Sequence, residues 1–377
     1  MSADARTSGH ATPEGTAAYR ARIGAAAAKE HFRSWSGLAL SSVGLGTYLG
    51  LEDAATDRAY EAAVGRALAL GLNVIDSAVN YRSQRSERAI GAALRAGIAA
   101  GRLARAEVLV ATKGGFIPSD GAPPGRGAGG PAQAYIRAGI VAPGDIVAGS
   151  HCMTPRYLAD QLERSRANLG VDTVDVYYLH NPETQLGEVS RPVFLTRLRA
   201  AFEFLEGAAS AGKIRWYGAA TWTGLRQEPG AADYLALPEL VERAVEVGGK
   251  DHHFRVLQLP YNLGMTEAFT SRNQRAGRDT VSLLEAARRL GLFVMTSASI
   301  YQGRLARGLP PVIAEFLPGL ETDAQRALQF VRSTPGVGTA LVGMAGAAHV
   351  EENARVRAVP PLPWKRFQRL FQGSESA

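Results

Sequence analysis

At 377 residues, with 46% hydrophobic and 20% charged side chains, the chain has a globular composition and room for one large α/β domain or two small ones. Its formal net charge of +7 is spread along the chain without a run of five basic residues, which argues against a nucleic-acid binder and suits a surface that draws anions weakly. The single cysteine, Cys152, excludes an intramolecular disulfide and fits a reducing compartment.

Residues 1–28 carry Ala, Gly, Thr and Pro without an apolar period, so they read as a flexible N-terminal segment. They lack the basic start and apolar core of an export signal, and no apolar run reaches the ~20 residues that span a bilayer. A cytoplasmic protein without membrane contact is expected. From Gly37 the pattern changes: Leu38 to Val43 reads as extended and ends in Gly44-Leu-Gly46-Thr47.

Strand-like runs and helix-period segments then alternate. Strands are predicted at 43–47, 73–76, 108–113, 174–180, 214–221, 255–258, 292–296 and 338–342. Helices are predicted at 56–70, 86–100, 155–169, 192–211, 231–247, 280–290, 323–332 and 347–357. Gly71, Gly212 and Gly291 each stand just before a strand, as left-handed helix caps do. Eight βα units without a break in composition favour a single (β/α)8 TIM barrel over residues 29–377. The rival, an open dinucleotide-binding sheet plus a second domain, needs Gly-x-Gly-x-x-Gly at its first turn, and Leu49 stands where the third glycine belongs.

Residues 114–154 break the short-loop rule. This insertion after the third strand holds ten glycines, and long structureless loops are usually functional or disordered. Because it leaves the rim where strands end, it reads as a lid or substrate gate, with a plain surface excursion as the alternative. His151 and Cys152 lie within it, but neither they nor the His252-His253 pair have further ligands at zinc-like spacing, so no metal is expected.

Four strands end on groups that can do chemistry: Asp76, Lys113, His180 and Gln258. In a parallel barrel these ends share one rim. Tyr81 follows Asp76 by five residues. A phenol beside a Lys ammonium that is held by a carboxylate has its pKa drawn down, and can then protonate a carbonyl oxygen near neutral pH. Each residue also has a plainer use: the Asp as a helix cap, the Tyr as packing, the Lys as a solvated rim charge. Their conjunction on one rim favours catalysis.

The chain resembles the aldo-keto reductase family. The resemblance rests on Gly44-Leu-Gly46-Thr47, Asn73-Val-Ile-Asp76-Ser77-Ala78-Val-Asn-Tyr81 leading to Ser86-Glu87, Val110-Ala-Thr-Lys113, Tyr178-Leu-His180, Gly212-Lys213-Ile214-Arg215, Gln258-Leu-Pro-Tyr261-Asn262 and Glu352-Asn353. It implies a barrel that binds an extended nicotinamide dinucleotide, NADP(H) or NAD(H), and passes hydride to or from a carbonyl carbon. It also implies Tyr81 as acid, Lys113 and Asp76 as groups that lower its pKa, and His180 as the group orienting the carbonyl. Gly46, Thr47, Asp76, Thr221, Gln258, Ser297, Gly303, Arg304, Gly343, His349, Glu352 and Asn353 are the implied dinucleotide contacts. Gln258 would meet the nicotinamide carboxamide, and Glu352 and Asn353 the adenine.

Departures from the family pattern are specific. Gly218-Ala-Ala-Thr221 replaces Gly-x-Ser-Asn, and Ser297-Ala-Ser-Ile300 replaces the aromatic-Ser-Pro-Leu that supplies a ring to the nicotinamide. Gly343-Met-Ala-Gly346 and His349 stand where relatives carry charged or hydroxyl groups for a 2′-phosphate, which weakens the case for NADP over NAD. Candidate substrate contacts are Tyr48, Arg82, Asn181 and Trp222, suited to a polar aldehyde, ketone or sugar-like molecule. The leading expectation is an NAD(P)-dependent oxidoreductase. The alternatives are a nucleotide-binding regulatory subunit with vestigial activity, and a lyase or isomerase that uses bound nicotinamide transiently.

Overall fold

The computed structural model describes residues 6–121 and 130–371. All eight expected strands form, each ending within two residues of its predicted bounds: β1 (Val43–Gly46), β2 (Val74–Asp76), β3 (Leu109–Gly114), β4 (Val174–His180), β5 (Ile214–Ala220), β6 (Phe254–Pro260), β7 (Phe293–Ser297) and β8 (Val337–Gly343). They pair in parallel in chain order and close where β8 meets β1, with Ala340 opposite Val43. The outer ring comprises α1 (Ala54–Ala69), α2 (Arg85–Ala99), α3 (Pro155–Leu169), α4 (Arg191–Ser210), α5 (Leu237–Gly248), α6 (Leu283–Arg289), α7 (Asp323–Ser333) and α8 (Ala347–Ala354).

Local chemistry explains where several helices begin and end. The Asp53 carboxylate caps α1 by accepting from Thr56 N at 2.7 Å, and Thr322 with Gln325 forms a capping box at α7. Gly170 ends α3 in the left-handed region at φ 66°. Two predicted helices start late. Residues 231–236 form turns before α5, whose start is tied by Leu237 N to Gln274 Oε1 at 2.7 Å. Residues 279–281 pair with 274–276 in a hairpin, and α6 begins only after Ser282.

Alternation along the strands produces two apolar layers. Leu109, Val176, Val256, Met295 and Leu341 fill the barrel interior, while Val43, Ile75, Val110, Tyr177 and Leu257 face the helices. A hairpin, Phe32–Trp35 with Leu38–Ser41, plugs the interior at the end opposite the strand C-termini. Its Trp35 ring packs 4.5 Å from Trp216 and 4.9 Å from Phe293.

The N-terminal segment differs from expectation. Residues 1–5 lie outside the described residues, but Pro13–Ile23 is a helix with Thr12 as its cap and Tyr19 fully buried. The Tyr19 hydroxyl donates to Leu68 O at 2.5 Å, and Ala11 N donates to the buried Asp175 at 2.7 Å. Only Thr16 and Tyr19 of this helix are buried, so no apolar stripe announces it in the sequence.

The described residues of the insertion pack against the barrel helices. Residues 122–129, most of its glycine-rich run, lie outside the described residues, but Gly130–Arg137 is helical. Tyr135 is buried against Tyr157 of α3, ring to ring at 5.9 Å, and its hydroxyl accepts from Gln161 at 3.1 Å. Arg197 of α4 donates to Gly144 O at 2.9 Å. At the other end of the chain, Phe367 packs 5.6 Å from Phe330 of α7, which seats the C-terminal apolar segment on the barrel.

Candidate active site

β2 and β3 bring Asp76 and Lys113 together at the rim. The Lys113 ammonium donates to Asp76 Oδ2 at 2.7 Å and to Ser77 O at 2.6 Å. Gln258, from β6 across the barrel, donates its amide to Asp76 Oδ1 at 2.7 Å. Asp76 and Lys113 are both almost fully buried, so each charge has its partner where water is scarce. The Gln258 amide nitrogen is thus committed to Asp76.

Tyr81 sits in the loop between β2 and α2. Backbone bonds from Ser77 N to Ala111 O (2.9 Å) and Val79 N to Lys113 O (3.2 Å) fix that loop to β3. The Lys113 nitrogen lies 4.7 Å from the Tyr81 ring centroid. The Tyr48 and His180 rings stand edge-on to Tyr81 at 5.0 and 5.9 Å. Asp76, Tyr81, Lys113 and His180 thus stand side by side at the barrel mouth.

The electrostatic outcome differs from expectation in one respect. Burial pushes the Tyr81 hydroxyl above the ordinary phenol value; Lys113 pulls it down, Asp76 adds to the rise, and the net shift is upward. Lys113 therefore offsets part of the desolvation instead of producing an acidic phenol. Burial disfavours the Lys113 ammonium, but Asp76 and Tyr81 beside it raise its pKa above the usual value. His180 is held well below the usual imidazole range by burial and by the neighbouring Lys113 and His151, so it is neutral.

A further residue at this site, His151 of the insertion, was considered in the sequence only for metal binding. Its Nε2 lies 2.7 Å from His180 O, and its Nδ1 lies 2.8 Å from the Gln185 amide nitrogen. Phe116 stands edge-on to both His151 and His180 at 5.0 and 5.1 Å. Gly115 admits this approach, since a Cβ there would stand 2.6 Å from His180 O.

Two of the four expected substrate contacts line one cavity. Asn181 and Trp222 border a space of about 340 Å³ beside His180, and Tyr48 is 56% exposed beside Tyr81. Arg82 is turned elsewhere. Buried, it donates to Leu51 O at 2.8 Å and to Asp57 at 2.6 Å, holding the β1–α1 loop instead of facing a substrate.

The expected dinucleotide contacts divide into free and committed groups. The Thr221 hydroxyl, at the end of β5, and the Asn353 carbonyl oxygen, on α8, are buried without partners among the described residues. Gly46 and Ser297 end β1 and β7 and remain partly accessible. Gly303, Arg304, Gly343 and His349 are exposed, and nothing crowds a Cβ at Gly303, Gly343 or Gly346. Glu352 is partly exposed, with its backbone oxygen accepting from Gln325 at 2.8 Å. The Thr47 hydroxyl, by contrast, is spent on Asp76 O and Ser77 Oγ at 3.1 and 3.0 Å.

The aldo/keto reductase family pattern matches residues 42–227. No curated protein matches the chain in sequence. Among solved structures, the chain is similar to an aldo/keto reductase from Klebsiella pneumoniae in complex with NADP and acetate, at 23% identity over 92% of this chain and 95% of that one, TM-score 0.59. It is similar to an aldo-keto reductase from Bacillus halodurans at 19% identity, over 90% and 95% of the chains, TM-score 0.60. It is also similar to the glycerol dehydrogenase of Gluconobacter oxydans at 18% identity, over 92% and 95%, TM-score 0.64. With the Asp76–Lys113 pair, Tyr81 and His180 all lying at one barrel mouth, the sequence match identifies residues 42–227 as an aldo/keto reductase family domain.

Proposed function

We propose that the protein is an NADP(H)-dependent oxidoreductase acting on a small aldehyde, ketone or sugar-like carbonyl, or on the matching alcohol, with Tyr81 as proton donor and acceptor. The observation that carries this reading is the buried Asp76–Lys113 ion pair, whose ammonium lies against the Tyr81 ring beside a neutral His180. NADP is the nucleotide named for the Klebsiella protein. When bound, a nicotinamide dinucleotide supplies or accepts the hydride.

The residues present fit such a group. The unpartnered Thr221 hydroxyl can meet the nicotinamide amide, and the unpartnered Asn353 oxygen can accept from the adenine amine. Uncrowded glycines at 303, 343 and 346, with Arg304 close by, leave room for phosphates.

As negative charge grows on the substrate oxygen, the Tyr81 hydroxyl and the neutral His180 ring donate to it. Each such donor stabilises the transition state by about 3 kcal/mol in comparable oxyanion sites. Lys113 steadies the phenolate left behind, and Asp76 keeps that ammonium charged and oriented. Gln258 acts through Asp76, filling its second oxygen. The single buried cysteine supports a reducing, cytoplasmic setting.

The test is fluorescence titration with NADPH and with NADH, followed by absorbance at the reduced-nicotinamide band over a panel of carbonyl compounds. Tight NADPH binding with carbonyl-dependent oxidation is expected. Failure to bind either nucleotide, or turnover without net oxidation, overturns the reading.

A further inference from the structure

We propose that the cavity beside His180, walled by Asn181, Glu183, Trp222, Thr223 and Asp233, binds an ammonium group of the substrate, so that the enzyme selects cationic carbonyl compounds or amino alcohols. This rests on the oxidoreductase reading and names the substrate class of the same site.

Position comes first. Asn181 follows His180, Trp222 and Thr223 follow β5, and Asn181 N donates to Ala220 O at 2.6 Å. The cavity therefore opens at the rim next to the histidine that meets the reacting carbonyl. Its volume of about 340 Å³ accommodates a substituted ammonium group.

Glu183 is the decisive residue. It is only 4% exposed, yet it carries a carboxylate into the cavity wall. One oxygen, Oε1, accepts from three successive backbone amides: Trp222 N at 2.6 Å, Thr223 N at 3.1 Å and Gly224 N at 3.4 Å. The other, Oε2, has no partner among the described residues. Holding the β5–α5 loop requires only the first oxygen. A buried carboxylate oxygen left without a donor is costly, so its presence at a cavity wall points to a ligand that donates to it.

The rest of the wall specifies a cation. The Asp233 carboxylate accepts from the Thr223 hydroxyl at 2.5 Å and adds a second negative charge. Trp222 is 40% exposed, and indole is the strongest aromatic partner for an ammonium. Among the described residues no Lys or Arg lines the cavity, although the protein as a whole carries +7. Arg226, four residues past Trp222, is spent on Trp222 O at 3.0 and 3.2 Å and on Glu267 at 2.8 Å. Burial lifts the Glu183 carboxyl above its ordinary range against the pull of the backbone amides of Trp222, Glu183 itself, Thr223 and Gly224, and a bound cation adds to that pull.

The test uses two aldehydes of one length: 3-aminopropanal, whose ammonium head can donate to Glu183, and butanal, its neutral carbon analogue. With NADPH, kcat/KM of the wild type should favour the cation by about tenfold, a discrimination of the size charge recognition supplies. Glu183→Gln keeps an oxygen for the three amides and turns the other into an NH₂ group, so the cation-to-neutral ratio should fall about tenfold. Trp222→Leu, at an exposed position, should lower the ratio less. An unchanged ratio in Glu183→Gln overturns the proposal. Methylammonium titrated into the wild type and followed by calorimetry separates the two readings. If neither aldehyde is reduced, the oxidoreductase reading fails, and methylammonium binding that Glu183→Gln abolishes still supports the site. Absence of methylammonium binding to the wild type overturns it.

Discussion

His151 Nε2 lies 2.7 Å from the backbone oxygen of His180, and the surrounding bonds settle which atom carries the proton. Arg197 donates to Gln185 Oε1 at 2.6 Å, which leaves the Gln185 amide nitrogen to donate to His151 Nδ1 at 2.8 Å. His151 Nε2 must then bear the hydrogen and donate to His180. The insertion is in this way tied to the catalytic rim.

Replacing that donor should loosen the histidine it holds. In His151→Phe the His180 oxygen loses its donor, at a cost of about 1–3 kcal/mol for a buried acceptor. The urea midpoint should fall, and kcat should drop about tenfold while the NADPH dissociation constant stays near wild type, since His180 meets the substrate oxygen. Stability loss with unaltered kcat would limit His151 to a structural role.

Tyr81→Phe should reduce kcat by about 10²–10⁴, the range for loss of a positioned acid, with nucleotide binding preserved. Because burial raises the Tyr81 pKa above 10, the protonated acid persists through the alkaline range. The kcat of reduction should therefore stay level to at least pH 9, which a pH profile at saturating substrate would reveal.

Breaking the ion pair from either side should be severe. Lys113→Met leaves the Asp76 carboxylate buried without its cation, and Asp76→Asn leaves the Lys113 ammonium without its anion. Each should cost about 3–5 kcal/mol of stability, read as a lowered thermal midpoint. Lys113→Met should also drive the Tyr81 pKa further upward, because it removes the main influence that lowers it.

Acid should begin to destabilise the fold through its buried histidines. Burial holds His151 down to about 4 and His31 to about 3, against 6.5 when unfolded. Between pH 6.5 and these values the unfolded chain binds protons that the folded chain does not, so stability falls as the pH drops through that window. His151 alone accounts for about 3 kcal/mol by pH 4. Urea unfolding at pH 7, 5.5 and 4.5 should show this slope, and His151→Phe should make it shallower.

The sequence by itself determined the elements whose signals are local. Period-two and period-3.6 runs between helix-ending glycines mark the eight βα units, and a polar residue at the end of several strands picks out Asp76, Lys113 and His180, because every strand of a parallel barrel ends at the same mouth. The helix at Pro13–Ile23 was not legible, since it buries only Thr16 and Tyr19 and has no stripe to read. Tertiary structure alone decided how side chains from distant segments pair. Gln258 faces Asp76 across 182 positions of chain, Arg82 turns back to Asp57, and His151 reaches His180 from a glycine-rich insertion. It also set the direction of the Tyr81 shift, because a phenol's pKa follows how deeply it is buried as well as which charges stand beside it, and depth has no signature in the order of residues.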